Sequence, residues 1–109
     1  MERIGFRMRL QPGREEEYRR RHAAVWPELL ADLKAAGASN YSIFLREPEN
    51  LLFATFEYHG TDYAADMEKM RQHEPTQRWW AIHDPMQEPL ATRAEGEHWA
   101  MMDEVFHVD

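Results

Sequence analysis

At 109 residues the chain suits one domain, residues 1–109, with one hydrophobic core; 43% hydrophobic residues with four tryptophans is a globular composition. A formal charge of -7 repels phosphate backbones and anionic headgroups, so no nucleic acid and no membrane surface is expected as a partner. The absence of cysteine excludes disulfides, zinc–thiolate sites and thiol chemistry. "MERIGFRMRL" lacks an h-region and no apolar run is long enough to span a bilayer, so the cytoplasm is the expected compartment.

Arg3 to Leu10 alternate, with Ile4, Phe6, Met8 and Leu10 on one side, which predicts a half-buried strand. "QPG" turns the chain, and a helix is expected from Gly13 to about Ala36, kinked or restarted near Trp26 by Pro27. Gly37 ends it. "NYSIFL" and "LLFATFEY" read as strands joined through "REPEN", and so brief a connection predicts a hairpin. Thr61 or Asp62 is placed to cap a helix from Tyr63, and Pro75 opens a further helical piece, "TQRWWAIHDPM". Gln87 to Gly96 reads as a loop, and "WAMMDEVFHVD" as a terminal strand. The order strand, helix, strand, strand, helix, strand predicts a ferredoxin-like (split βαβ) α+β domain, a four-stranded antiparallel sheet with helices on one face. Its other face is bare and partly apolar, Phe44 included, so a second subunit is an economical cover.

No glycine-rich phosphate loop, HExxH or GxSxG elbow is present. The six histidines, His22, His59, His73, His83, His98 and His107, offer no local metal motif, which leaves only ligands gathered from distant segments. Tyr18, His22 and Trp26 recur every four residues in "EYRRRHAAVWPEL". Such a stripe either packs into a core or lines a pocket. An imidazole titrates near neutrality, so His22 is the acid–base candidate, with the Tyr18 hydroxyl one turn earlier able to bond a polar ligand. Adjacent Trp79 and Trp80 point about 100 degrees apart on a helix and cannot share a stripe. Trp79 fits the core with Ile82 and Met86, and Trp80 must find another apolar surface, such as the CH-lined side of a sugar ring. Tyr41 begins the apolar face of its strand. Glu104 alternates onto the apolar side with Met102, Phe106 and Val108, and needs a partner, a wet cavity or a bulge that turns it to solvent.

"YRRRHAAVWPEL", "NYSIFL", "NLLFATFE", "QRWW" and the terminal "EVF", in that order, resemble the L-rhamnose mutarotases, small dimeric ferredoxin-like proteins (dimeric α/β barrel type). The resemblance implies an isomerase without a cofactor that interconverts the α and β anomers of L-rhamnopyranose by acid–base ring opening. It implies His22 as proton donor, Tyr18, Tyr41, Trp79 and Trp80 as sugar contacts, and a homodimer. Water or Glu104 would be the second proton carrier. Residues 87–99 depart from the pattern, which bears on sugar identity. Two other readings share the architecture: a cofactor-free monooxygenase, and a non-catalytic module that binds sugar or dimerises.

Overall fold

In the computed structural model, which describes residues 1–109, the alternating segment at the N-terminus forms strand β1 (Glu2–Leu10). Its Ile4, Phe6, Met8 and Leu10 are buried, as the period of two requires. The helix expected to kink or restart near Trp26 restarts there, giving two: α1 (Glu15–His22) and α2 (Pro27–Ala35). Pro27 is the cause. Its ring drives the preceding residue out of the helical region, so Trp26 is extended (φ -64, ψ 136), and Pro27 restarts the helix at a position that needs no amide hydrogen. Within α1, Glu15, Glu16 and Glu17 occupy the first turn and Arg19, Arg20 and Arg21 the last, an order that complements the helix dipole.

Gly37, at φ +89, adopts the left-handed conformation that releases the chain from α2. Strands β2 (Ala38–Arg46) and β3 (Leu51–Tyr58) form the expected hairpin. Its last turn residue, Asn50, is a tie point: its carbonyl accepts the Leu10 amide at 2.9 Å, and its side chain donates to the Glu15 carboxylate. The hairpin thereby fixes both the end of β1 and the start of α1. Helix α3 (Tyr63–Arg71) is capped by Asp62, which accepts the Ala65 amide at 3.1 Å. Helix α4 (Glu74–His83) follows, and its first turn is held to α2 by Asp32, which accepts from His73 Nδ1 and Thr76 Oγ1, both at 2.8 Å. One 3-10 turn (Asp84–Met86) leads to β4 (Gln87–Glu88), and β5 (Ala100–Met102) closes the order.

The strands run β2-β3-β1, with the short β4 and β5 pairing in succession along the second edge of β1, all antiparallel. Two short strands thus share the fourth position of the ferredoxin-like sheet. The face bearing Ile4, Met8, Leu52 and Phe56 receives the helices: Tyr18 of α1 packs on Met8, Leu10 and Leu52, and Tyr63 of α3 on the cluster of Ile4, Phe6 and Phe56. Leu29, Met70 and Trp79 join α2, α3 and α4 in a third cluster. On the opposite face Phe44 and Phe53 are exposed and stacked at 6.2 Å.

The terminal strand is much shorter than its alternation predicts. Beyond Met102 the chain leaves the edge of β1, and residues 103–109 are exposed without regular structure. Glu104 therefore stands in solvent rather than on an apolar sheet face, and carries none of the cost of a buried charge.

Candidate active site

The stripe on α1 resolves into a packed base and a half-buried tip. Tyr18 is buried against Met8, Leu10, Leu52 and Met86. One turn later His22 stacks on its ring at 4.1 Å, with the planes 25° apart. His22 Nδ1 lies 2.8 Å from the Tyr18 carbonyl oxygen. A carbonyl only accepts, so Nδ1 carries the hydrogen and Nε2 is left as the nitrogen that can exchange a proton. Burial lowers the pKa of His22 from its ordinary 6.5, partly opposed by the bond to the Tyr18 carbonyl. The neutral form therefore predominates at pH 7. Burial pushes the Tyr18 phenol up to about 12, with the neighbouring Gln87 side chain opposing, so it remains a hydroxyl at every working pH.

Helix α4 supplies the rest of the cluster. Trp79 is buried, meets His22 edge-on at 5.3 Å and Trp26 edge-on at 5.1 Å. His83 stacks on Trp79 at 4.1 Å and meets His22 at 4.9 Å, nearly perpendicular. The two tryptophans separate as helical geometry demands: Trp80 is 37% exposed and touches none of these rings. Tyr41 stands one layer away on β2, stacked on Phe56 at 5.0 Å and edge-on to Phe6 at 6.3 Å. Desolvation raises its phenol above the ordinary range, with Tyr18 acting in the same direction, although 38% of the residue is exposed. The fold therefore joins Tyr18, His22 and Trp79, and leaves Tyr41 and Trp80 outside that ring cluster.

Trp79 also lines a hollow of about 230 Å³ with Arg20, Arg21, Ala24 and Trp26. Arg21 is held there by Glu17 at 3.1 Å. A larger hollow of about 500 Å³ lies within the loop 91–97 and has no aromatic wall and no imidazole in its lining. No group of three His, Asp or Glu side chains converges in a way that could hold a metal ion.

Gln87 to Gly96, expected as a loop, opens with the short β4, and residues 87–99 are tied to the site at both ends. Gln87 is buried beside the Tyr18 hydroxyl and its Oε1 accepts from His98 Nε2 at 2.9 Å. Trp99 packs edge-on against Phe6 at 4.9 Å. Sequence reasoning passed over Gln87, His98, Trp99 and His83. For His83 a signal existed: Trp79 and His83 repeat the four-residue spacing of Tyr18 and His22.

A ferredoxin-like sheet under four helices, carrying a half-buried imidazole on an aromatic stack, defines a small enzyme domain equipped for proton transfer. A cyclase acting in polyketide synthesis, tetracenomycin F2 cyclase from Streptomyces glaucescens, shares this fold (TM-score 0.68, 100% of this chain and 98% of that one), and at 16% identity the likeness extends to the fold alone. The chain belongs to the L-rhamnose mutarotase family, whose model matches residues 3–108. An L-rhamnose mutarotase of Sinorhizobium fredii is 45% identical over 99% of both chains. The crystal structure of the L-rhamnose mutarotase of Formosa agariphila has a TM-score of 0.78, at 32% identity, over 100% of both chains. The activity is thus that of an isomerase of the racemase and epimerase class, exchanging the anomers of L-rhamnose. Of the readings left open by the residues, the family match selects this one over the monooxygenase and the non-catalytic module.

Proposed function

We propose that His22 drives anomer exchange of L-rhamnose by general acid–base catalysis at Nε2. The observation that carries this is the bond from Nδ1 to the Tyr18 carbonyl, which fixes the ring and its tautomer and leaves Nε2 free beside Tyr18 and Trp79. As imidazolium, His22 gives its proton to the ring oxygen while water takes the proton of the anomeric hydroxyl. The bond between the anomeric carbon and the ring oxygen breaks, and the open-chain aldehyde forms. After rotation about the adjoining carbon–carbon bond, the hydroxyl attacks the other face of the carbonyl and returns its proton to His22, while the water gives its extra proton back to the carbonyl oxygen, which becomes the new anomeric hydroxyl. No net oxidation occurs and no cofactor is needed. Tyr18 and Tyr41 bond the sugar hydroxyls in this proposal, and Trp79 and Trp80 wall the ring and favour the 6-methyl group over a hydroxymethyl.

Because burial lowers the pKa of His22, its acid form is a minority at pH 7. An exchange step limited by that acid should accelerate as pH falls from 8 towards 6. His22→Ala is expected to slow exchange by about a hundred- to ten-thousand-fold with the fold intact. Saturation-transfer NMR on L-rhamnose measures this directly, and wild-type exchange in the variant would end the assignment.

We further propose that the working form is a homodimer closed over the bare sheet face. Supporting this, Phe44 is 59% exposed beside Phe53, and the terminal segment presents Val105 at 94% and Phe106 at 79% exposure with no apolar surface of its own chain to cover them. Replacing Phe44 by lysine should yield a monomer in light scattering. A dimer of unchanged affinity would place the interface elsewhere.

A further inference from the structure

Helix α4 carries a copy of the device on α1. His83 follows Trp79 by four residues as His22 follows Tyr18. Each imidazole stacks on the preceding aromatic ring at 4.1 Å, and each donates its Nδ1 hydrogen to that residue's carbonyl oxygen at 2.8 Å. The two imidazoles meet at 4.9 Å with their planes 76° apart. They differ in surroundings: His83 is 3% exposed, and its Nε2 has no hydrogen-bond partner within the protein.

With Nδ1 committed as donor, that Nε2 holds only a lone pair. A buried acceptor without a donor destabilises a fold, and an aliphatic side chain would fill the same space without the cost. Such a group next to a reactive imidazole calls for a role. Its ionisable neighbours are His22, Arg21, Glu17 and the Tyr18 phenol, all on α1, and Arg21 and Glu17 pair with each other at 3.1 Å. Asp84, next in the chain, lies 3.4 Å from His98. His22 is thus the group whose charge changes most readily at its side. Burial pushes the pKa of His83 down to about 4, with its bond to the Trp79 carbonyl opposing, so it stays neutral while His22 titrates.

We propose that His83 is a positioning residue for His22: its unpaired Nε2 supplies the counter-dipole that favours the imidazolium formed in each turnover, and its ring holds His22 against Tyr18. This rests on the acid–base role of His22 given above. A carboxylate in the same place would hold the proton too tightly for an acid that must release it, whereas a neutral lone pair gives a smaller bias.

The test is His83→Leu, with the His22 ring followed by histidine NMR and exchange by saturation transfer across pH 5 to 8. The titration of His22 and the pH–rate limb should both move down by about one pH unit, making exchange up to tenfold slower at pH 7 with sugar affinity unchanged. His83→Gln, which restores an acceptor oxygen, should recover part of the shift, and serves with His83→Met if the leucine variant does not fold. An unmoved limb in a folded variant, or a loss of rate that shifts no pH profile and is not recovered by glutamine, overturns the inference. The two readings fail separately. Wild-type exchange in His22→Ala defeats the acid–base role, whereas its loss together with an unchanged limb in His83→Leu defeats only the role of His83.

Discussion

Two histidines in this molecule are built the same way and stand in different surroundings. His22 and His83 each close one helical turn onto an aromatic ring and tie Nδ1 to the carbonyl four residues back. Local sequence sets that much. His22 sits at the end of α1, where Pro27 has stopped the helix, and remains half-buried. His83 ends α4 beneath the same cluster and is sealed off. One device therefore leaves a half-buried nitrogen in one place and a buried lone pair in the other, and packing decides which.

The comparison breaks most sharply at Trp79, which stacks on His83 and meets His22 edge-on. Trp79→Ala should cost about 3–5 kcal/mol of stability by denaturant titration, since it empties the cluster formed with Leu29, Ala36 and Met70. A loss below about 1 kcal/mol would mean that the α4 dyad stands without its aromatic base. Tyr18→Phe sharpens the other side, because it keeps the ring under His22 and removes only the hydroxyl. Sugar affinity should fall about tenfold, the worth of one hydrogen bond, with the His22 titration nearly unmoved. A displaced titration would show that the phenol, rather than the stacked ring and carbonyl, governs the imidazole.

The smallest effect separates the dyads by acid stability. His83 has a folded pKa of about 4 against an ordinary 6.5, so between those values the unfolded chain takes up a proton that the native state refuses. Its contribution is complete above pH 6.5 and is lost progressively as pH falls towards 4. Urea midpoints at pH 7 and pH 5 should converge in His83→Leu relative to the unaltered chain. Equal losses in both would show that His83 is not the group resisting the proton.

Much of this was legible in the residues. β1 followed from strict alternation, the hairpin from the brevity of "REPEN", and the α3 cap was narrowed to Thr61 or Asp62, of which Asp62 serves. The division of Trp79 from Trp80 followed from 100° per residue. Other features were not legible, for physical reasons. Pro27 was read as a kink or a restart because local pattern does not separate the two, and here its effect on Trp26 gave two helices. The terminal alternation promised a strand, yet alternation measures amphipathicity, while pairing needs an edge that continues to hold the chain. β5 stops at Met102 and leaves Glu104 in water. The contacts of Gln87 and Trp99 were not legible because their partners, Tyr18 and Phe6, are far away in the chain.

By itself the sequence determined the succession of strand and helix regions, the family and the four-residue spacing that stacks His22 on Tyr18, since these depend on contacts within a few residues or on pattern along the whole chain. Only the tertiary structure decided that α4 would lay a second histidine against the first and deprive its Nε2 of any donor. Burial is a property of packing between distant segments, and no local spacing of residues encodes whether water reaches a nitrogen atom.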